Sequence, residues 1–224
     1  MAQDLFHLLS TNELKKEIGT LVAKDKRTLP ENSKIFAAIA QMQKFDQLPD
    51  LVGYKELNAL IAKNHTELNR GMTATKGVPV ALYVRELLIG AMYPGTLSSI
   101  GNGIYLATTQ PTELILPDAF PRLSKIAEKY ASDDEPGMIV RCALKSDSRI
   151  VEYDDLHAFC RENRNRAANA GIKDFGAIAA ALGFDAYVRE NIEAGIDEKV
   201  WVVVNRNALT FQREVLQYAR QVLS

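Results

Sequence analysis

Gly101-Asn102-Gly103-Ile104-Tyr105-Leu106-Ala107 sets two glycines two residues apart, followed at once by apolar side chains. The glycines keep side chains out of the way and permit positive φ, so the segment reads as a tight turn feeding a strand over 103–107. Just upstream, Ser98 and Ser99 supply two hydroxyls from a small-residue loop that begins at Pro94-Gly95. Tyr105 adds an aromatic face able to stack on a flat heterocycle. Taken alone, the same residues also describe a plain glycine hairpin whose tyrosine caps the core.

Working outward, helices and short strands alternate irregularly. The first 65 residues read as helical: Leu14, Ile18, Leu21 and Val22 repeat at helical spacing, and Pro30 suits the first turn of a second helix. Ile35, Phe36, Ile39, Met42 and Gln43 mark the face of that second helix, and a third covers Tyr54 to Asn64. Glu67 to Met72 reads as a short strand ending at a glycine turn, and 79–89 as a helix. Further helices are expected over 121–131, Tyr153 to Ala168 and Phe175 to Leu182, the last stopped by Gly183. Strands are expected over 137–144, Arg149 to Tyr153, Phe184 to Val188 and Lys199 to Asn205. The last carries a Val-Trp-Val-Val-Val run typical of a buried central strand. No βαβ alternation with a Gly-x-Gly-x-x-Gly turn occurs, so a Rossmann domain is excluded and an α+β fold is expected.

Composition bounds the function. The chain has 224 residues, 47% hydrophobic and 25% charged, with a formal net charge of -1. That suits a globular protein, and the missing basic surplus gives nucleic-acid binding no support. Cys142 and Cys160 have no metal-ligand partner in spacing and read as small hydrophobes of a reducing compartment. His7, His65 and His157 form no zinc spacing, so no metal is expected. Asp4, Glu13 and Glu17 are foreign to a signal peptide, and no apolar run approaches the roughly 20 residues that span a bilayer. A soluble, cytoplasmic protein without membrane contact is the expectation.

Two more segments bear on chemistry. In Arg70-Gly71 a planar guanidinium precedes a residue where backbone can approach a ligand, which suits bidentate recognition of a diphosphate. The third segment runs from Gly183-Phe184-Asp185-Ala186-Tyr187 to Val202-Val203-Val204-Asn205, with Glu190 and Glu198 among the acidic residues between. In order, the three segments resemble the ADP-ribosyltransferase superfamily. Its members carry an arginine or histidine followed by glycine on an early strand. A serine-bearing or Gly-x-Gly-Ile/Val-Tyr strand follows, and an acidic residue comes at a late strand or its preceding loop. Arg70-Gly71 matches the first element, Ser98-Ser99 stand near the serines of the toxin-like branch, and Gly101 to Ala107 matches the polymerase-like second element. The late segments are similar to bacterial and phage-associated members. The resemblance covers roughly residues 66–211.

The resemblance implies a split, mixed or antiparallel sheet core of ADP-ribosyltransferase type over 66–224, beside an N-terminal helical lobe over 1–65. It implies an NAD-dependent mono-ADP-ribosyltransferase that moves ADP-ribose onto a protein target and releases nicotinamide. NAD is then a substrate, gripped by Arg70, Gly71, Ser98, Ser99, Gly101, Gly103 and Tyr105. Arg70 would hold the diphosphate or the adenosine ribose, the Gly71 backbone the nicotinamide carboxamide, and Tyr105 would stack on the nicotinamide ring. Cleaving the nicotinamide–ribose bond creates an oxocarbenium-like centre that a carboxylate beneath the ribose stabilises. Matching Val203-Val204-Asn205 to the family strand puts Val200 at the usual glutamate position. Glu198, two residues earlier, shares its face if the strand extends back, so Glu198 is the candidate, with Glu190 and Asp185 behind it. Alternatives are an NAD glycohydrolase of the same fold, an inactive NAD- or ADP-ribose-binding module, and a plain interaction protein.

Overall fold

A computed structural model describes residues 29–45, 47–72, 101–108, 124–131, 138–162, 174–190, 198–214 and 216–217. The helices expected before residue 29 and over 79–89, and the pair Ser98-Ser99, lie outside the described residues. The elements run α1 (Leu29–Met42), β1 (Asp50–Val52), α2 (Tyr54–Ile61), β2 (Thr66–Met72), β3 (Ile104–Thr108) and α3 (Lys125–Ala131). They continue with β4 (Met138–Leu144), β5 (Ile150–Glu152), α4 (Tyr153–Glu162), α5 (Phe175–Ala181), β6 (Ala186–Glu190) and β7 (Lys199–Val203). A 3-10 turn over Arg206–Ala208 leads into β8 (Leu209–Gln212), and β9 (Leu216–Gln217) follows.

The fold is α+β, with the strands in a single mixed sheet ordered β1-β8-β4-β2-β3-β7-β6-β5, while β9 pairs with β4. The β1–β8 and β5–β6 pairs are parallel and the others antiparallel. β7 lies between β3 and β6, which accounts for its unbroken apolar run: Trp201, Val202 and Val203 are all buried. β1 was not expected and falls inside the stretch read as wholly helical. It has three residues, one of them Asp50, too few for a period-two signal.

Helix placement follows from the apolar stripes. Ile35, Phe36, Ile39 and Ala40 are buried at helical spacing and bring α1 into the same core as Leu68, Val140, Ile178 and Val203. Met42, expected on that face, is exposed, whereas Gln43 donates through Nε2 to the Ala181 carbonyl of α5 at 3.4 Å. α3 lies on β2, β3 and β4, α2 against β4 and β8, and α4 against β5, β6 and α5. α5 ends where Gly183 turns to φ +76°, a left-handed stop that glycine takes without steric cost. Among the described residues, no helix is long and apolar enough to cross a membrane.

Candidate functional site

The site is built around the glycine turn. Gly101 has φ +98° and Gly103 φ +151°, so both positions require glycine conformations. The turn packs onto the start of α5: a Cβ on Gly176 would fall 1.9 Å from the Asn102 carbonyl oxygen. One carboxylate joins the two pieces. Asp174 caps α5 by accepting from the Ala177 amide through Oδ2 at 2.8 Å, and through Oδ1 it accepts from the Asn102 amide at 2.8 Å. Burial pushes the Asp174 carboxyl above its ordinary value, partly offset by those hydrogen bonds. The Tyr105 hydroxyl donates to the Gly101 carbonyl and closes the turn. Burial, then the nearby Asp174 charge, raises the Tyr105 phenol, which therefore stays a neutral donor. The local geometry is that of a glycine turn closed by its own tyrosine. The Tyr105 ring remains half-buried.

Arg70 sits where two strands part. β2 pairs with β4 along seven register positions, from Thr66–Leu144 to Met72–Met138, and with β3, among the described residues, along two, Leu68–Thr108 and Asn69–Ala107. At the end of that short ladder Arg70 donates through Nη1 to the Tyr105 carbonyl at 3.1 Å. The guanidinium thus takes an acceptor that a continuing ladder would otherwise engage. Burial lowers the Arg70 guanidinium to about 10, so it remains charged at neutral pH.

Gly71 lies within a strand. β2 runs through it to Met72 instead of ending in a turn. A Cβ there would lie 1.7 Å from the Ala127 carbonyl oxygen, so the glycine permits α3 to press onto the strand. The space that a side chain at Gly71 would take is filled by helix backbone.

The three candidate carboxylates are sorted by their surroundings. Glu190 is exposed and paired with Lys199 at 2.8 Å. Asp185 accepts from the Arg149 amide at 2.7 Å and from Asn205 Nδ2 at 2.6 Å, which ties together the corner beside β5 and β6. Glu198 alone is buried, at 2% exposure, immediately before β7. It accepts from Ser124 Oγ at 2.6 Å, from the Lys125 amide at 2.6 Å and from the Ile126 amide at 3.1 Å. Ser124 Oγ in turn accepts from the Ala127 amide at 3.0 Å, so serine and glutamate together cap α3. Ser124 was missed in the sequence, although a serine before an apolar helical run is a start signal.

Register decides which side chains share a face, because directly opposed residues point the same way. Asn69 opposes Ala107, Ala107 opposes Val200, and Tyr105 opposes Val202. Asn69, Tyr105 and Val200 therefore share one face. Glu198, two residues before Val200, bonds to α3, which covers Gly71 on that same face. Arg70 alternates onto the opposite face with Leu106 and Trp201, and reaches the turn only through the Tyr105 carbonyl. Asn69 was also missed. It is 0% exposed, and among the described residues neither its amide nitrogen nor its amide oxygen has a hydrogen-bond partner.

An open cavity of about 630 Å³ lies elsewhere, at the β1–β8 end of the sheet, where Asp50, His65, Lys145 and Thr210 help line it. None of the candidate NAD-binding or catalytic residues named from the sequence is among its lining residues. Comparison of the chain with protein-family models, with curated proteins and with solved structures finds no match.

Proposed function

We propose that the chain is an NAD-dependent mono-ADP-ribosyltransferase, with a split-sheet core of that superfamily's type, that passes ADP-ribose to a protein target and releases nicotinamide. One observation carries the reading. The strands that hold Arg70, the Gly101–Tyr105 turn and the valine run after Glu198 lie far apart in sequence yet side by side in the sheet, as β2, β3 and β7. The parting of β2 from β3 supports it further, since this is where a dinucleotide could enter between the strands.

In this reading Arg70 binds the diphosphate through its guanidinium. The Tyr105 ring supports the nicotinamide. An ionised carboxylate has about four acceptor positions, and Glu198 spends three on Ser124, Lys125 and Ile126. The remaining one is free to take a ribose hydroxyl, while the negative charge stabilises the oxocarbenium-like centre that develops as nicotinamide leaves. The attacking group comes from the protein acceptor, held in place by the bound sugar.

A second reading has its own support: an inactive NAD- or ADP-ribose-binding module is favoured by the commitment of Glu198 to the first turn of α3. One experiment separates the readings. Purified protein is incubated with NAD, free nicotinamide is followed, and Arg70→Ala, Tyr105→Ala and Glu198→Gln are compared with wild type. Release by the wild type that is lost in all three variants supports transfer chemistry. Release at full rate without any protein acceptor marks a glycohydrolase. Binding without release marks the inactive module, and neither binding nor release removes NAD from the account.

A further inference from the structure

We infer that the cavity at the β1–β8 end of the sheet is a binding site for an ammonium group carried on a short alkyl body. The site stands apart from the glycine turn and owes nothing to NAD. Its volume of about 630 Å³ falls in the range of small-ligand sites.

β1 and β8 run parallel with Asp50 opposite Thr210, so carboxylate and hydroxyl leave the sheet side by side on one face. Both line the cavity. Thr210 is 3% exposed, and among the described residues its hydroxyl has no hydrogen-bond partner. Enclosing an unmet hydroxyl destabilises a fold, and valine would fill the same space without that penalty. Asp50 gives Oδ2 to the Lys145 ammonium at 3.3 Å, while its other oxygen takes no bond among the described residues.

The charge around the cavity selects the ligand. Lys145 is already committed, since it also donates to the Asn207 carbonyl at 2.7 Å. Asp147 lines the same cavity and has no ion pair among the described residues. Two carboxylates therefore stand against one engaged ammonium, and the lining is rich in acceptors and short of positive charge. An anion would be repelled there. Beside the polar pair, Val52 and Leu60 form an aliphatic wall. Val52 lies two residues beyond Asp50 on the same face of β1, and Leu60 comes from α2. The ammonium sits between Asp50 and Thr210 and donates to both, with the alkyl body against Val52 and Leu60. A free alkylamine and a lysine side chain present the same chemistry.

The test titrates the full chain and follows the backbone amide NMR signals of Asp50 and Thr210. The probes are pentylammonium, 1-pentanol (the same alkyl chain without charge) and methylammonium (the charge without the chain). Pentylammonium should saturate with a dissociation constant on the order of 1 mM, at least about tenfold tighter than either control. Thr210→Val should weaken it about threefold or more while Tm equals or exceeds that of wild type. Asp50→Asn should weaken it about fivefold or more, whereas 1-pentanol should not distinguish the variants from wild type. Nα-acetyl-lysine amide separates the two sources: binding equal to pentylammonium assigns a lysine side chain, and its exclusion assigns a free amine. Both results carry the inference. Equal affinity for pentanol and pentylammonium overturns it, as does pentylammonium binding that leaves the two amide signals unmoved or does not saturate. A Thr210→Val variant with a lower Tm gives the hydroxyl a partner in the fold and overturns it too. Nicotinamide release plays no part in this measurement, so either reading can fail while the other stands.

Discussion

Ser124 and Glu198 stand 74 residues apart in the chain, and the serine hydroxyl donates to the buried carboxylate at 2.6 Å. The contact fastens the entry of β7 to the start of α3, two elements joined by no direct connection. Ser124→Ala removes the helix cap and one of the three donors to Glu198. The expected loss is about 1–3 kcal/mol of unfolding free energy in a urea titration. Ser124→Thr, which keeps the hydroxyl, should recover most of it. An alanine variant as stable as wild type would mean that the contact contributes nothing.

Gly71 tests how closely α3 is seated. A methyl group there would lie 1.7 Å from the Ala127 carbonyl oxygen, so strand or helix must shift. Gly71→Ala should destabilise by roughly 3 kcal/mol, at the upper end for overpacking, because rigid backbone rather than a flexible side chain is in the way. Gly53→Ala is the control: its Cβ would meet only the ends of the Glu56 and Glu214 side chains, at 3.8 Å or more. That change should be felt by at most a few tenths of a kcal/mol in the same titration. Equal effects at the two glycines would rule out the tight seating of α3.

Asp174 predicts a pH dependence whose sign runs opposite to that of a salt-bridged carboxylate. Burial raises its folded value above the ordinary 3.8, so between the two values the folded state binds more proton than the unfolded one. Its contribution to stability is therefore complete below the unfolded value and is lost as pH rises through the folded value. The stability of wild type relative to Asp174→Asn, followed by denaturant titration over a pH series, should fall as pH climbs from near 3.8. A difference that grows over that range would contradict the burial assigned to this carboxyl.

The strongest elements were legible because burial on both faces leaves an unmistakable composition. The Val-Trp-Val-Val-Val run became β7, the apolar stretch of 137–144 became β4, and Gly183 ended α5 as expected. β1, β8 and β9 were not legible. They have three, four and two residues, and Asp50, Thr210 and Gln212 interrupt any apolar pattern. At the candidate site, Arg70, Tyr105 and Glu198 could be named from motif order, but not the face each occupies. A shift of one residue reverses a face, and only pairing across strands sets it. Asn69 adjoins Arg70 in the chain and points the other way, so attention to the arginine concealed it. Ser124 and Glu198 carried no joint signal, since nothing local relates residues so distant in sequence.

Arg70 carries the most direct functional prediction. Its Nη1 holds the Tyr105 carbonyl at 3.1 Å where β2 and β3 part, and its guanidinium is the proposed diphosphate donor. Lysine is a compact point charge and cannot do both: its ammonium can replace the bond to the carbonyl or meet a phosphate, without the planar fork. Arg70→Lys should therefore keep stability within about 1 kcal/mol of wild type, since one hydrogen bond to the carbonyl can be restored. NAD turnover should fall roughly a hundredfold, the scale of losing a positioned donor at a developing or bound charge. The pH profile adds a check on the same group. Burial lowers the guanidinium to about 10, so NAD affinity of the wild type should hold below that value and weaken as pH rises through it. Nicotinamide release followed beside thermal unfolding decides the matter. A lysine variant that turns over NAD at the wild-type rate would detach Arg70 from the dinucleotide and leave it only the task of closing the gap between β2 and β3.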